Sequence, residues 1–285
     1  MWKGRRISVI FPTYNEKDSI YEAIQDFFAS EYVDEIVVVN NNAAEGTDEE
    51  VRKTRARLVH ERKQGYGHAI QRGFREVTGD LIVVAEPDGT FEGNDIIKLL
   101  AYSDDFEFVL GTRTLSVLIW EEANMGWFLR LGNMCVAKMV EVLFNTTSLS
   151  DVGCTMRIIS RKALEKIQGQ FTVGGSHFGA EMMALAAMNR LSFVEVPVNY
   201  KGRVGISSVT GSKVKAFFLG LQMTAMMLRY WVKFIAGLLG ARRHLSKAPP
   251  SVISENNEGY AWRKPRRRVH AATARKERRI PVAQP

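Results

Sequence analysis

The chain has 285 residues, 46% hydrophobic, 25% charged and 10% aromatic, which excludes a collagen-like or wholly disordered protein and allows one large domain with a substantial core. Its formal charge of +8 is concentrated at one end: Ala241–Pro285 carries 12 Lys/Arg against 3 Asp/Glu, and the rest is close to neutral. Two cysteines, Cys135 and Cys154, without metal-ligand spacing exclude a disulfide framework and fit a reducing compartment.

Lys3, Arg5 and Arg6 lead straight into Ile7-Ser-Val-Ile-Phe11, a buried-strand run stopped by Pro12. No apolar stretch of signal-peptide length follows, which predicts no secretion. Ile20, Ala23, Ile24, Phe27 and Phe28 form the stripe of an amphipathic helix. Glu35-Ile-Val-Val-Val39 is a second strand, and Thr47 with Glu50 has capping-box spacing for a second helix. A weaker strand at Arg57 to Glu61 precedes Gly65-Tyr-Gly67, after which Ile70, Phe74 and Val77 mark a helical face. Leu81 to Ala85 and Phe106 to Leu110 are further strands. Later, the pattern predicts a helix from Asn124 to Phe144, strands at Thr155 to Ser160 and Phe193 to Tyr200, and between those a helix containing Glu181 to Ala187.

Strands that are apolar throughout and alternate with helices predict an α/β fold, a doubly wound, mainly parallel sheet covered on both faces. Polar turn residues follow the strands at Thr13 to Glu16, Asn40 to Asn42, Glu86 to Gly89 and Gly111 to Arg113. Ligands of such sheets bind at the carboxyl ends of the strands, so these four loops predict one site.

Ala216 to Gly240 is the strongest apolar segment, but Arg229 and Lys233 interrupt it. It reads as an amphipathic membrane-interface helix with Tyr230 and Trp231 at headgroup depth; the alternative is a helix packed on the domain or in a dimer interface. Met223 to Met227 reads as packing. The tail holds five of the eight prolines and little apolar clustering, which predicts disorder. The expected organisation is thus a domain at 1–212, an interface helix or pair at 213–240 and a disordered basic tail at 241–285. The tail's charge suits anionic lipid or nucleic acid.

Glu86-Pro-Asp88 places two carboxylates two apart, just past an apolar strand. An extended backbone aims both at one place, where they suit Mg²⁺ or Mn²⁺ bridging a diphosphate. Together with Gly89, the sequence Glu-Pro-Asp-Gly also fits an ordinary exposed type I β-turn. Arg130, Arg157 and Arg203 each lie in or beside an apolar element, where a guanidinium needs an anion or a carboxylate; phosphate binding and structural ion pairs both remain open.

Taken in order, Phe11-Pro-Thr-Tyr-Asn-Glu16, the loop ending Gly46-Thr47, Gly65-Tyr-Gly-His-Ala69, Gly79 to Val84, Glu86-Pro-Asp88, Asp151-Val-Gly-Cys-Thr-Met-Arg157 and Glu195-Val-Pro-Val-Asn-Tyr200 resemble the family 2 glycosyltransferases, and within them the polyprenyl-phosphate (dolichol-phosphate) sugar transferases. The resemblance implies the GT-A fold, a Rossmann-like nucleotide-binding half joined to an acceptor half. It implies that Pro12, Tyr14, Glu16, Asn40, Asn41 and Gly67 bind a nucleotide-sugar donor. Glu86 and Asp88 match the metal-binding Asp-x-Asp, with Mg²⁺ or Mn²⁺ as cofactor. Arg130, Arg157 and Arg203 are expected to hold an acceptor phosphate, of a polyprenyl lipid on the resemblance. Two positions depart from the pattern: Asn40 stands where the family has Asp, and Glu86 where it has the first Asp.

A lipid phosphate is already anionic, so no strong base is required; direct displacement with inversion is the expected mechanism. Transfer to a hydroxyl would need a base, for which Glu181 is the candidate. A non-catalytic domain tethered by its tail is the third reading. The expected setting is cytoplasmic, peripheral at the inner face of an anionic membrane; nucleic acid is disfavoured and a homo-oligomer stays open.

Overall fold

Strands that are apolar along their whole length need cover on two sides, and this chain supplies it. Among the residues described by the computed structural model, 1–120, 126–205 and 213–246, seven strands form one sheet in the order β3-β2-β1-β4-β6-β5-β7. They are β1 (Ile7–Thr13), β2 (Glu35–Asn40), β3 (Arg57–His60), β4 (Leu81–Val84), β5 (Phe108–Thr112), β6 (Arg157–Ser160) and β7 (Phe193–Pro197). β6 runs antiparallel to both its neighbours; every other pairing is parallel.

The helices are α1 (Ile20–Ala29), α2 (Thr47–Arg52), α3 (Tyr66–Glu76), α4 (Ile96–Tyr102), α5 (Trp127–Phe144), α6 (Arg161–Ile167), α7 (Phe178–Met188) and α8 (Lys213–Ser246). Side chains along a strand alternate between faces. Ile7, Val9 and Phe11 of β1 therefore pack with Ile20, Ile24 and Phe27 of α1 and with Leu99 and Leu100 of α4. Ile10 faces the opposite layer, with Ile70 and Phe74 of α3 and the inner faces of α5, α6 and α7. This is the doubly wound, mainly parallel α/β sheet that the sequence predicts. Contacts divide the chain into Met1–Ala236, which contains the sheet, and Gly237–Pro285, whose described part is the end of α8.

Several local expectations change. β1 continues past Pro12 to Thr13. Its pairing with β4 ends at Ile10–Val84, so the proline has a strand neighbour on one side only, where it is tolerated. The capping box at Thr47 does not form: Gly46, at φ +87°, is the cap of α2, and the Thr47 hydroxyl donates back to the Ala44 carbonyl. α5 begins at Trp127; the start expected at Asn124 lies outside the described residues. α8 runs on to Ser246, beyond the expected end at 240.

α8 buries Met223, Met226, Met227 and Tyr230 against the α7 side of the core. The methionines are packing, as read from the sequence. Tyr230 corrects its expected place at headgroup depth: it is 3% exposed and donates to Glu181 Oε1 at 2.5 Å. A buried tyrosine hydroxyl needs a partner, and Glu181 provides it. The same carboxylate accepts from the Thr172 and Val173 amides at 2.9 and 3.0 Å, and from the Thr172 hydroxyl. The other side of α8 exposes Val214, Phe217, Phe218 and Leu221. No helix among the described residues is long and apolar enough to cross a membrane.

Candidate active site

β1 lies between β2, reached in one direction, and β4, reached in the other. Chain connections diverge at such a point and leave a crevice at the carboxyl ends of the strands. The loops after β1 and β4 meet there. Ser19, just before α1, donates to the Pro87 carbonyl at 2.7 Å and fixes one loop to the other.

Asp88 is 1% exposed, which sets aside the exposed-turn reading of Glu86 to Gly89. Its Oδ1 accepts from the amide and the hydroxyl of Thr90, at 3.0 and 2.6 Å. Its Oδ2 is buried and receives no aligned hydrogen bond among the described residues. Glu86 stands beside it with its side chain about one-fifth exposed. Burial, reinforced by the charges of Asp88 and Glu16, pushes the Glu86 carboxyl up to about 8 against the opposing pull of Arg203. Glu16 turns back under the β1 loop: its Oε2 accepts from the amides of Tyr14 and Asn15 at 2.7 and 2.9 Å, while Oε1 faces Arg203. Pro12 is buried in β1, and Tyr14 extends outward, 44% exposed.

Arg203 brings these carboxylates together. Nη2 lies 3.0 Å from Glu16 Oε1, and Nη1 lies 3.4 Å from Glu86 Oε2 and 3.1 Å from Asp88 Oδ2. Three carboxyl groups thus share one guanidinium. The residues fit a divalent cation on two counts: Asp88 Oδ2 has an ion pair but no aligned hydrogen bond, and the acidic groups outnumber the one guanidinium. Among the described residues no group of three or more His, Cys, Asp or Glu could hold a metal unaided. That matches Mg²⁺ or Mn²⁺, which take one or two carboxylates and complete their shell with water and substrate phosphates.

Asn40 ends β2, with its amide held at both ends. Nδ2 donates to Asp48 Oδ1 at 2.6 Å, and Oδ1 accepts from the Ala43 amide at 2.8 Å. A carboxylate can only accept and a backbone N–H can only donate, so the amide has one orientation. Asp48 is held in turn by His60 Nε2 at 2.9 Å. The missing carboxylate of position 40 therefore stands immediately behind it, a partner the sequence reading did not identify. Asn41 is structural in its contacts: it donates to the Glu61 and Lys63 carbonyls and accepts from the Gly65 amide. Gly67, at the start of α3, lies so close to the 173–174 backbone that a Cβ would come 2.6 Å from the Val173 oxygen.

The other two arginines have different partners. Arg157 is buried, and its guanidinium donates to the carbonyls of Cys154 and Gly179. That commits it to joining β6 to α7, not to the open phosphate contact expected. Arg130 is exposed on α5 and donates to the Thr114 carbonyl, so it is not embedded in an apolar element. Nearby, Arg113 forms a buried two-point ion pair with Asp151, at 2.8 and 3.0 Å. Glu195 accepts from the Ser150 and Asp151 amides, fixing that loop. Cys154 is inert in this setting, burial pushing its thiol up to about 12.

Residues 8–168, more than half of the chain, match the family model for glycosyl transferase family 2. A low-salt glycan biosynthesis hexosyltransferase of Haloferax volcanii is 29% identical over 204 residues, 70% of this chain and 48% of that protein. The chain therefore spans about half the length of that relative. A dolichyl-phosphate hexose transferase of the same organism is 27% identical over 200 residues, covering 70% of this chain and 84% of the relative. Among solved structures, glucosyl-3-phosphoglycerate synthase from Mycobacterium tuberculosis, in complex with Mn²⁺, UDP and phosphoglyceric acid, is similar with a TM-score of 0.63 at 17% identity, over 80% of this chain and 79% of that one.

Proposed function

The chain belongs to glycosyltransferase family 2, and from that premise we propose that it transfers a hexose from a nucleotide-sugar to a polyprenyl phosphate, with Mg²⁺ or Mn²⁺ held by Glu86 and Asp88. The observation that carries this reading is Asp88, buried at the sheet's switch point with one oxygen left without a hydrogen bond. A buried carboxylate oxygen that has an ion pair but no aligned hydrogen bond costs free energy that a bound ligand can offset. The Mn²⁺ and UDP in the similar synthase structure, and the dolichyl phosphate in the name of the Haloferax relative, support the same assignment.

Each half of the site has a task. Pro12, Tyr14 and Glu16 shape the donor crevice, and Gly67 lets the start of α3 close against the 173–174 loop. The Asn40 amide, held by Asp48, offers an acceptor oxygen as a carboxylate would. The bound cation would stabilise the nucleoside diphosphate as it leaves. A phosphate oxygen of the acceptor attacks the anomeric carbon from the face opposite the departing diphosphate, which inverts the configuration. That oxygen is already anionic, so the protein positions it and needs no strong base. Arg130 and Arg203 are the phosphate ligands in this reading, and Arg157 joins β6 to α7.

The exposed apolar face at the start of α8 suits a lipid interface on the cytoplasmic side, and the 12 Lys/Arg of the tail suit anionic headgroups. The tail itself, 247–285, lies outside the described residues. Transfer to a hydroxyl is less well supported: Glu181, its candidate base, is 0% exposed and already accepts from three residues.

The direct experiment supplies the full chain with a panel of nucleotide-sugars, a short polyprenyl phosphate and Mn²⁺, with chelator in parallel. Chelator-sensitive transfer with inverted configuration is expected. Transfer that survives chelation, or that retains configuration, refutes the mechanism. Within the donor site, Asp48→Ala releases the Asn40 amide. It is expected to weaken UDP or GDP binding about tenfold, the size of one charge-assisted hydrogen bond; calorimetry with unchanged affinity would remove Asp48 from the donor site.

A further inference from the structure

Arg203 is tied into the site by its backbone as well as by its side chain. The Val204 amide donates to the Asp88 carbonyl and the Lys201 amide to the Thr90 carbonyl, each at 2.9 Å. Lys201 pairs with Glu92 at 2.7 Å, and the Asn199 side chain donates to Glu92 and Asp95. Residues 199–204 are therefore stitched along the 88–95 loop whatever the Arg203 side chain does. That side chain is 24% exposed, which leaves it a route to solvent.

The fit of the guanidinium to its three carboxylates is poor for an arginine. Its planar fork is matched to two oxygens of one carboxylate, yet here each carboxylate meets it through a single oxygen. Asp88 Oδ2, 3.1 Å away, gains proximity to charge but no aligned hydrogen bond. Two of those oxygens, from Glu86 and Asp88, better suit a cation that completes its shell with water and substrate phosphates.

We propose that Arg203 is a displaceable counter-ion: its guanidinium, anchored by Glu16, occupies the cation position beside Glu86 and Asp88 in the donor-free protein, leaves that position when donor and divalent cation bind, and is thereby released to the acceptor's phosphate. Nothing covalent changes; one positive group exchanges for another. Two consequences follow. The empty site binds metal weakly, because each cation must displace an arginine. Binding is also ordered, since Arg203 cannot clamp an acceptor phosphate while it neutralises the carboxylates.

The inference rests on the metal-dependent reading above, and Mn²⁺ alone is the probe that separates the two. Electron paramagnetic resonance would follow Mn²⁺ binding to the full chain without nucleotide, in wild type and in Arg203→Gln. The variant should bind Mn²⁺ about tenfold more tightly, within the usual range for two linked ligands, and its KM for a short polyprenyl phosphate should rise at saturating donor. Equal or weaker Mn²⁺ binding by Arg203→Gln overturns the counter-ion role while leaving a metal site in place. If no form binds Mn²⁺, even with UDP present, both the inference and the metal-dependent reading fall. Should Arg203→Gln not fold, Arg203→Lys carries the same comparison. One ammonium cannot span three carboxylates, so tighter Mn²⁺ binding is again expected, and equal or weaker binding overturns the proposal.

Discussion

Asp88→Asn is expected to lower kcat for sugar transfer about 10³-fold, equivalent to about 4 kcal/mol of lost transition-state stabilisation. The substitution is chosen for what it preserves. The Asn side-chain oxygen can still accept from the Thr90 amide and hydroxyl, so the turn that carries the site keeps its hydrogen bonds. What disappears is the charge on the second oxygen, the atom the fold buries without a hydrogen bond. An amide nitrogen there presents hydrogens where a cation needs a lone pair. Single-turnover kinetics with Mn²⁺ would measure the loss, and circular dichroism would establish that the variant is folded. A folded Asp88→Asn protein with near-normal kcat would remove the carboxylate from the chemistry.

Glu181→Ala is expected to act on stability, lowering it by about 3 kcal/mol and the melting temperature by roughly 10 °C. Glu181 lies in the first turn of α7, where a negative charge is favoured by the helix N-terminus. It gathers donors from the 172–173 segment and from α8. Alanine leaves the Val173 amide and the Tyr230 hydroxyl without their acceptor in a buried place. Tyr230 already reflects that confinement: burial, and the hydrogen bond to Glu181, push its hydroxyl up to about 12. Below the lowered melting temperature, kcat should remain within about threefold of wild type, far from the 10²- to 10⁴-fold cost of losing a general base. Thermal denaturation and initial rates, measured on the same preparation, separate the two roles. A large rate loss with unchanged melting would restore Glu181 as a base.

The sheet was legible because its signal is local. Runs such as Ile36 to Val39 and Leu81 to Val84 are buried on both faces, and an unbroken apolar run states that directly. The polar loops after them were legible for the same reason, and Asp88 with them. The partners of the arginines were not, because nothing local specifies them. Arg203 meets Glu16 across 187 positions of sequence. Arg157 is held by carbonyl oxygens, which every residue has and no motif marks. Asn40 looked like a simple loss of charge; the compensating Asp48 lies eight positions on, brought back by the turn at Gly46. Tyr230 was misplaced because an apolar helix with a tyrosine has the same pattern whether its partner is a lipid headgroup or a buried glutamate.

The link between Tyr230 and Glu181 bears on where the chain can be shortened. Glu181 holds the amides of residues 172 and 173, the Val173 carbonyl accepts from Gln71, and the Gly174 carbonyl accepts from the His68 amide at the head of α3. Phe234, four residues on, packs against Phe144 at the end of α5. The middle of α8 therefore braces the loop against which the donor side of the crevice is built. A trimmed protein that ends before Phe234 would lose more than a candidate lipid contact, because the seat of α3 would lose its brace; the safe boundary for truncation lies beyond that residue.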